Sequence, residues 1–113
     1  MSTSNFSQSP APLAVVDLAR QLGERLALAR RRRQLTQQDL SARAGIARAT
    51  LGKLEQGHPD TSLGTCLAVL WALGLSGDVA LLADPLADRE GVTLEAARYG
   101  ERVRPERGLS DDF

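Results

Sequence analysis

Residues 35–57, LTQQDLSARAGIARATLGKLEQG, constrain this chain more than any other stretch, because they encode two short helices joined by a very tight turn. Thr36 can accept a hydrogen bond from a backbone N–H two or three residues on, and Asp39 puts a carboxylate in the positive first turn of the helix that Thr36 caps. Leu40 and Ala44 lie one turn apart and face inward with Leu35, and Gly45 can turn the chain at positive φ. The second helix follows at once. Ile46, Leu51 and Leu54 form its apolar strip, while Arg48, Ala49, Gly52 and Lys53 fall on the opposite face. Two helices that cross closely need small residues, a demand that Ala44 and Gly45 are expected to meet. A helix projecting in this way fits a DNA major groove, which is about 12 Å wide.

The rest of the composition agrees with an all-α chain. At 113 residues there is room for one small domain with a modest core, for which association is a common source of added stability. Hydrophobic residues make up 42% and aromatics only 4%, with Ala, Leu and Arg abundant and β-formers few. The single cysteine, Cys66, allows neither an internal disulfide nor a zinc finger and points to a reducing compartment. Formal net charge is zero, yet residues 1–57 hold nine Arg/Lys against four Asp/Glu, and residues 58–113 hold five against ten. A +5 half carrying the helix pair is the electrostatic footprint of a phosphate-binding face.

Taken in order, residues 1–12 are rich in Ser, Asn, Gln and Pro, and are expected to be a disordered arm. No stretch approaches the roughly 18 apolar residues of a membrane span, so a cytoplasmic protein with no membrane partner is expected. Residues 13–33 form the first predicted helix, with Leu18, Leu22, Leu26 and Ala29 on its inward stripe and Arg30, Arg31, Arg32 and Arg33 at its end, where cations suit the helix dipole. Gly57 and Pro59 end the helix pair, and His58 is read as an exposed loop residue. Ser62 or Thr61 then caps a helix over 63–73, with Leu63, Cys66, Leu67, Leu70 and Leu73 inward and Trp71 off that stripe. A short fifth helix is predicted over 76–83. Beyond it, 85–91 reads as a linker, 93–99 as one helical segment ended by Gly100, and the remainder of 84–113 as a charged tail for dimer or partner contact.

The order Gln-Gln-x-Leu-x-x-x-x-Gly-Ile-x-x-x-Thr-Leu-x-x-Leu-Glu-x-Gly over 37–57 resembles the phage-repressor and Cro-like family of helix-turn-helix regulators, the XRE family. The resemblance covers residues 22–83 and implies a five-helix repressor-like domain over 13–83, with its helix-turn-helix at 36–56. It also implies site residues. Base-reading positions fall on Ala47, Arg48, Ala49, Gly52 and Lys53, and phosphate contacts on Thr36, Gln37 and Thr50. An arginine late in the first helix pairs in that family with a glutamate near the end of the recognition helix, which here are Arg30 and Glu55. Gly52 departs from the commoner polar residue. The block His58-Pro-Asp-Thr-Ser-Leu, the following Leu-Trp-Ala-Leu-Gly-Leu and the chain length more loosely resemble HipB-type antitoxins, which implies a HipA-like kinase toxin as partner.

Three functional readings follow. The first is a homodimeric repressor on a palindromic double-stranded DNA operator that also serves as an antitoxin. The second is a free-standing repressor, and the third a protein-interaction module without DNA binding, against which Gln37, Arg48 and Lys53 argue. An enzyme is not expected: no nucleophile with a base, no metal cluster and no phosphate-binding glycine loop can be read, and no cofactor is implied.

Overall fold

The computed structural model describes residues 12–103, so the expected arm up to Ala11 and the tail from Arg104 lie outside the described residues. These residues are all-helical: α1 (Leu13–Arg32), α2 (Gln37–Ala44), α3 (Arg48–Glu55), α4 (Leu63–Ala72), a 3-10 turn (Ser76–Leu81) and α5 (Arg89–Val103). They divide into two compact units at Val79 and Ala80.

In the first unit the caps explain where the helices start and stop. Thr36 and Asp39 form a reciprocal capping box: the Thr36 hydroxyl accepts from Asp39 N–H, and the Asp39 carboxylate accepts from Thr36 N–H, each at 3.0 Å. Ser62 caps α4 by accepting from Thr65 N–H at 3.1 Å. At the other ends, Gly45, Gly57 and Gly74 all have φ between 73° and 83°. Their successors Ile46, His58 and Leu75 donate back to Ser41, Lys53 and Leu70, closing a left-handed stop. The end of α1 uses the same geometry on Gln34, at φ 57°, with Leu35 N–H reaching Arg30 O at 3.2 Å.

The core consists of Leu26, Leu40, Leu51, Leu54, Val69, Leu70 and Leu73, with Leu35, Ala44, Ile46 and Cys66 packed partly against it. Burying each such leucine contributes roughly 1.5–3 kcal/mol. Three sequence expectations change here. The inward stripe of α1 is covered only in its C-terminal half: Leu26 is buried, but Leu18 remains 64% exposed and Leu22 is just exposed. The cause is length, since the 20 residues of α1 span about 30 Å and the eight of α3 only about 12 Å. Leu63, expected to face inward, is 70% exposed, and Val69 takes the buried place. The tight helix contact is not at Gly45, around whose virtual Cβ nothing lies within 4 Å. It is at Gly23, where a Cβ would meet Leu54 O at 2.5 Å, and at Gly57, where one would meet Arg20 Cα at 2.5 Å. Gly45 therefore serves its positive φ, and Gly23 and Gly57 let α1 pass against the last turn of α3.

The expected fifth helix over 76–83 is a 3-10 turn that ends at Leu81. In the second unit residues 85–88 are non-helical, like the predicted linker, but the helix that follows takes in 89–91 and is longer than the predicted segment over 93–99. The Asp88 carboxylate accepts from Gly91 N–H at 3.0 Å and so caps α5 at Arg89, four residues earlier than Thr93. The helix then runs through Gly100, which keeps a helical conformation and does not end it. No residue from 80 to 100 is buried.

Candidate nucleic-acid interface

The two faces of α3 have opposite composition because the helix is amphipathic over only two turns. Leu51 and Leu54 point into the core, while Ala47, Arg48, Ala49 and Lys53 are exposed and Gly52 is half-exposed. Ala47 precedes the helix in an extended conformation with no side-chain cap, so the first backbone N–H groups of α3 stay open toward solvent. The outward face thus offers two cations, two methyl groups and a position with no side chain. Nothing lies within 4 Å of the place a Gly52 Cβ would take, so the local fold does not require glycine there.

Glu55 is the acidic residue of α3, and it is turned away from that face. Arg30 Nε donates to Glu55 Oε2 at 2.7 Å and its NH2 to Oε1 at 3.1 Å, a side-on bidentate pair. Its NH1 donates to Leu35 O at 2.9 Å. The two side chains are 12% and 6% exposed, so the pair joins the end of α1 to the end of α3 in a largely dry setting. Leaving either partner alone there would cost about 3–5 kcal/mol.

Gln37, at the first position of α2, sits between this pair and the outward face. Its Nε2 donates to Glu55 Oε1 at 2.9 Å, and its Oε1 accepts from Arg48 NH1 at 3.1 Å. The resemblance implied a phosphate contact for Gln37, and one amide hydrogen remains free for it. Thr36 is exposed, and its hydroxyl accepts from Asp39 N–H while keeping its own hydrogen to donate. Thr50 is half-buried at the edge of α3. Arg31, Arg32, Arg33 and Arg43 are exposed cations nearby in sequence, with Arg33 NH1 donating to Ala29 O at 2.9 Å.

Among the described residues two titrating groups are displaced. The Thr36 backbone N–H, followed by the Thr36 hydroxyl, holds the Asp39 carboxyl below its ordinary value. Burial pushes the Cys66 thiol up, which keeps it protonated and a poor nucleophile. The sequence did not reveal the Gln37 bridge, because its partners lie 18 and 11 residues away. The only available signal was chemical: a side chain with one donor and one acceptor group on the helix that packs against α3.

Two short helices packed at a glycine turn, with a basic outward face on the second, define a helix-turn-helix DNA-binding module. A family model described as a helix-turn-helix domain matches residues 21–82, more than half of the chain, and the chain belongs to that family. A search of curated proteins found no match. Among the described residues no helix is long and apolar enough to cross a membrane.

Proposed function

We propose that this chain is a sequence-specific transcriptional regulator that works as a homodimer on a palindromic operator, represses its own promoter in the cytoplasm, and is the antitoxin partner of a HipA-like kinase toxin. The observation that carries the DNA-binding part is the outward face of α3, where Arg48 and Lys53 stand exposed among small residues and the helix's acidic group is turned inward. Arg48 reads guanine through its O6 and N7, a contact that discriminates against a wrong base by about 1–3 kcal/mol. Lys53 is the second reader, and Ala47 and Ala49 offer methyl contact to thymine. Gly52 lets the helix backbone lie close to the groove, and Thr36, Gln37 and Thr50 hold phosphates.

Association is supported by α4, which has no charged residue and leaves Trp71 66% exposed. An exposed indole is a frequent interface anchor. Two recognition helices would then address half-sites about 34 Å apart. The toxin partnership rests on the likeness of residues 58–63 and 70–75 to HipB-type antitoxins.

Fluorescence anisotropy with the chain's own promoter region tests the reading. Wild type should bind it in preference to unrelated duplex, with log affinity falling by about 0.9 per neutralised phosphate against log salt. Arg48→Ala should lose most of the preference and little of the salt slope. Equal binding to all duplexes would overturn the operator reading, and a monomer at binding concentrations by ultracentrifugation would overturn the homodimer. Purification from the native cell should bring down a kinase-like protein in fixed ratio. Its absence would reduce the reading to a free-standing repressor.

A further inference from the structure

We infer that α4 pairs antiparallel with the α4 of a second copy across a two-fold axis, and that Trp71 of each copy seats in the notch left by Gly64 of the other. The inference rests on the homodimer reading above and gives that dimer its contact surface.

At about 100° per residue, Leu67, Ala68 and Trp71 all stand within about 60° of Gly64 around the helix, whereas the buried Val69, Leu70 and Leu73 are centred on the opposite side. This stripe faces outward: Gly64 and Trp71 are exposed, and Leu67 and Ala68 are half-buried. Alone among the described helices, α4 carries no charged residue, so no ion on it has to be desolvated when the face is covered. Gly64 has no task within the single chain. Its φ is not positive, and nothing lies within 4 Å of the place its Cβ would take. Glycine weakens a helix relative to alanine, and on an exposed stripe it leaves a notch open to a group from outside. A two-fold contact uses one patch twice, so that patch must be complementary to itself. In an antiparallel pair whose axis passes between Leu67 and Ala68, Trp71 comes level with Gly64 of the second copy at both ends of the contact. The largest side chain of the stripe thus meets the missing one, while Leu67 and Ala68 each meet their own copies at the axis. A shift of one turn sets Trp71 against Leu67 or Ala68 and empties the notch, and a parallel pair sets indole on indole. An exposed indole that enters a fitting recess is a frequent anchor of an interface.

Trp71 is the chain's single tryptophan, so its fluorescence reports on this contact directly. With the full chain, sedimentation equilibrium and Trp71 emission are followed over the same dilution series. Wild type should dimerise, and its emission should move to shorter wavelength in step with the dimer fraction. Gly64→Met fills the notch with a good helix former for which the single chain has room, so its thermal midpoint in dilute solution should match or exceed that of wild type. Its dimer should nevertheless be roughly tenfold weaker or more, with Gly64→Ala in between. If the dimer forms while Trp71 emission stays at its dilute position, or if Gly64→Met folds and dimerises as wild type does, the homodimer reading stands and this contact fails. Where Gly64→Met does not fold, the wild-type emission decides alone. If wild type is a monomer at every concentration, the homodimer reading fails and the contact falls with it.

Discussion

The eight residues of α3 and the fifteen of α5 are opposite solutions to making a helix. α3 is too short to be stable by its own hydrogen bonds, which below about 12–15 residues are marginal even for good helix formers. It persists because Leu51 and Leu54 are buried, Glu55 is clasped by Arg30, and Gly23 lets α1 pass at its last turn. α5 has the length, an Asp88 cap and no buried residue from 89 to 100. The comparison teaches that in this chain tertiary packing, not helix length, decides which element is held to one geometry.

The sharpest way to break that comparison is a matched pair of truncations followed by urea unfolding. Leu51→Ala should cost about 2–5 kcal/mol, because a wholly buried side chain leaves a cavity. Leu94→Ala should stay within about 0.5 kcal/mol. A Leu94→Ala cost near that of Leu51→Ala would mean that α5 is covered in solution, and concentration dependence of the midpoint would then show whether a second copy does it.

Next in size is Gly23→Ala. The added carbon would press on the Leu54 carbonyl, which cannot swing aside, so a loss of about 1–3 kcal/mol is expected by thermal unfolding. An unchanged midpoint would show that α1 can back away from α3 freely.

Gly52→Ala acts in the other direction. With open space around its Cβ, the substitution should raise stability by up to about 1 kcal/mol through helix propensity alone. A decrease would mean that this face is covered in solution, contrary to the open space around the position in the single chain.

The smallest effect concerns the capping box. Asp39 has a depressed folded pKa, so its contribution to stability is present above the ordinary carboxylate value and is lost as pH falls through the folded value. Wild type should therefore exceed Asp39→Ala in denaturation midpoint at neutral pH, and the gap should close in acid. A gap constant across that range would assign the effect of Asp39 to something other than its charge.

What could be read from the sequence was what is decided locally. Thr36 with Asp39, Ser62, Gly45, Gly57 and Gly74 mark helix ends through contacts within a few residues, and those ends stand where the sequence puts them. The alternation of Leu51 and Leu54 with Arg48 and Lys53 separates the inner from the outer face of α3 in the same way. What escaped was decided at a distance. Gly23 looks like a weak point in a helix until Leu54 is placed beside it. Leu18 and Leu63 keep perfect periodicity but lie where no element covers them. Asp88 caps α5 from within what reads as a linker, and the helix tolerates Gly91 and Gly100, which by composition signal breaks. Gln37 was assigned outward to a phosphate, and its two inner partners became visible only when α2 was set against α3.

Gly52 also bears on how such a regulator diversifies. Arg48 is tied through Gln37 to the ion pair beneath it, so replacing it disturbs a linkage that reaches α1. Gly52 stands beside it on the same helix, unobstructed, and a new side chain there meets nothing in the protein. On the reading proposed above, in which this position faces the operator, two copies left by a gene duplication would part company over their operators by a single codon change here, without first acquiring a compensating mutation in the fold.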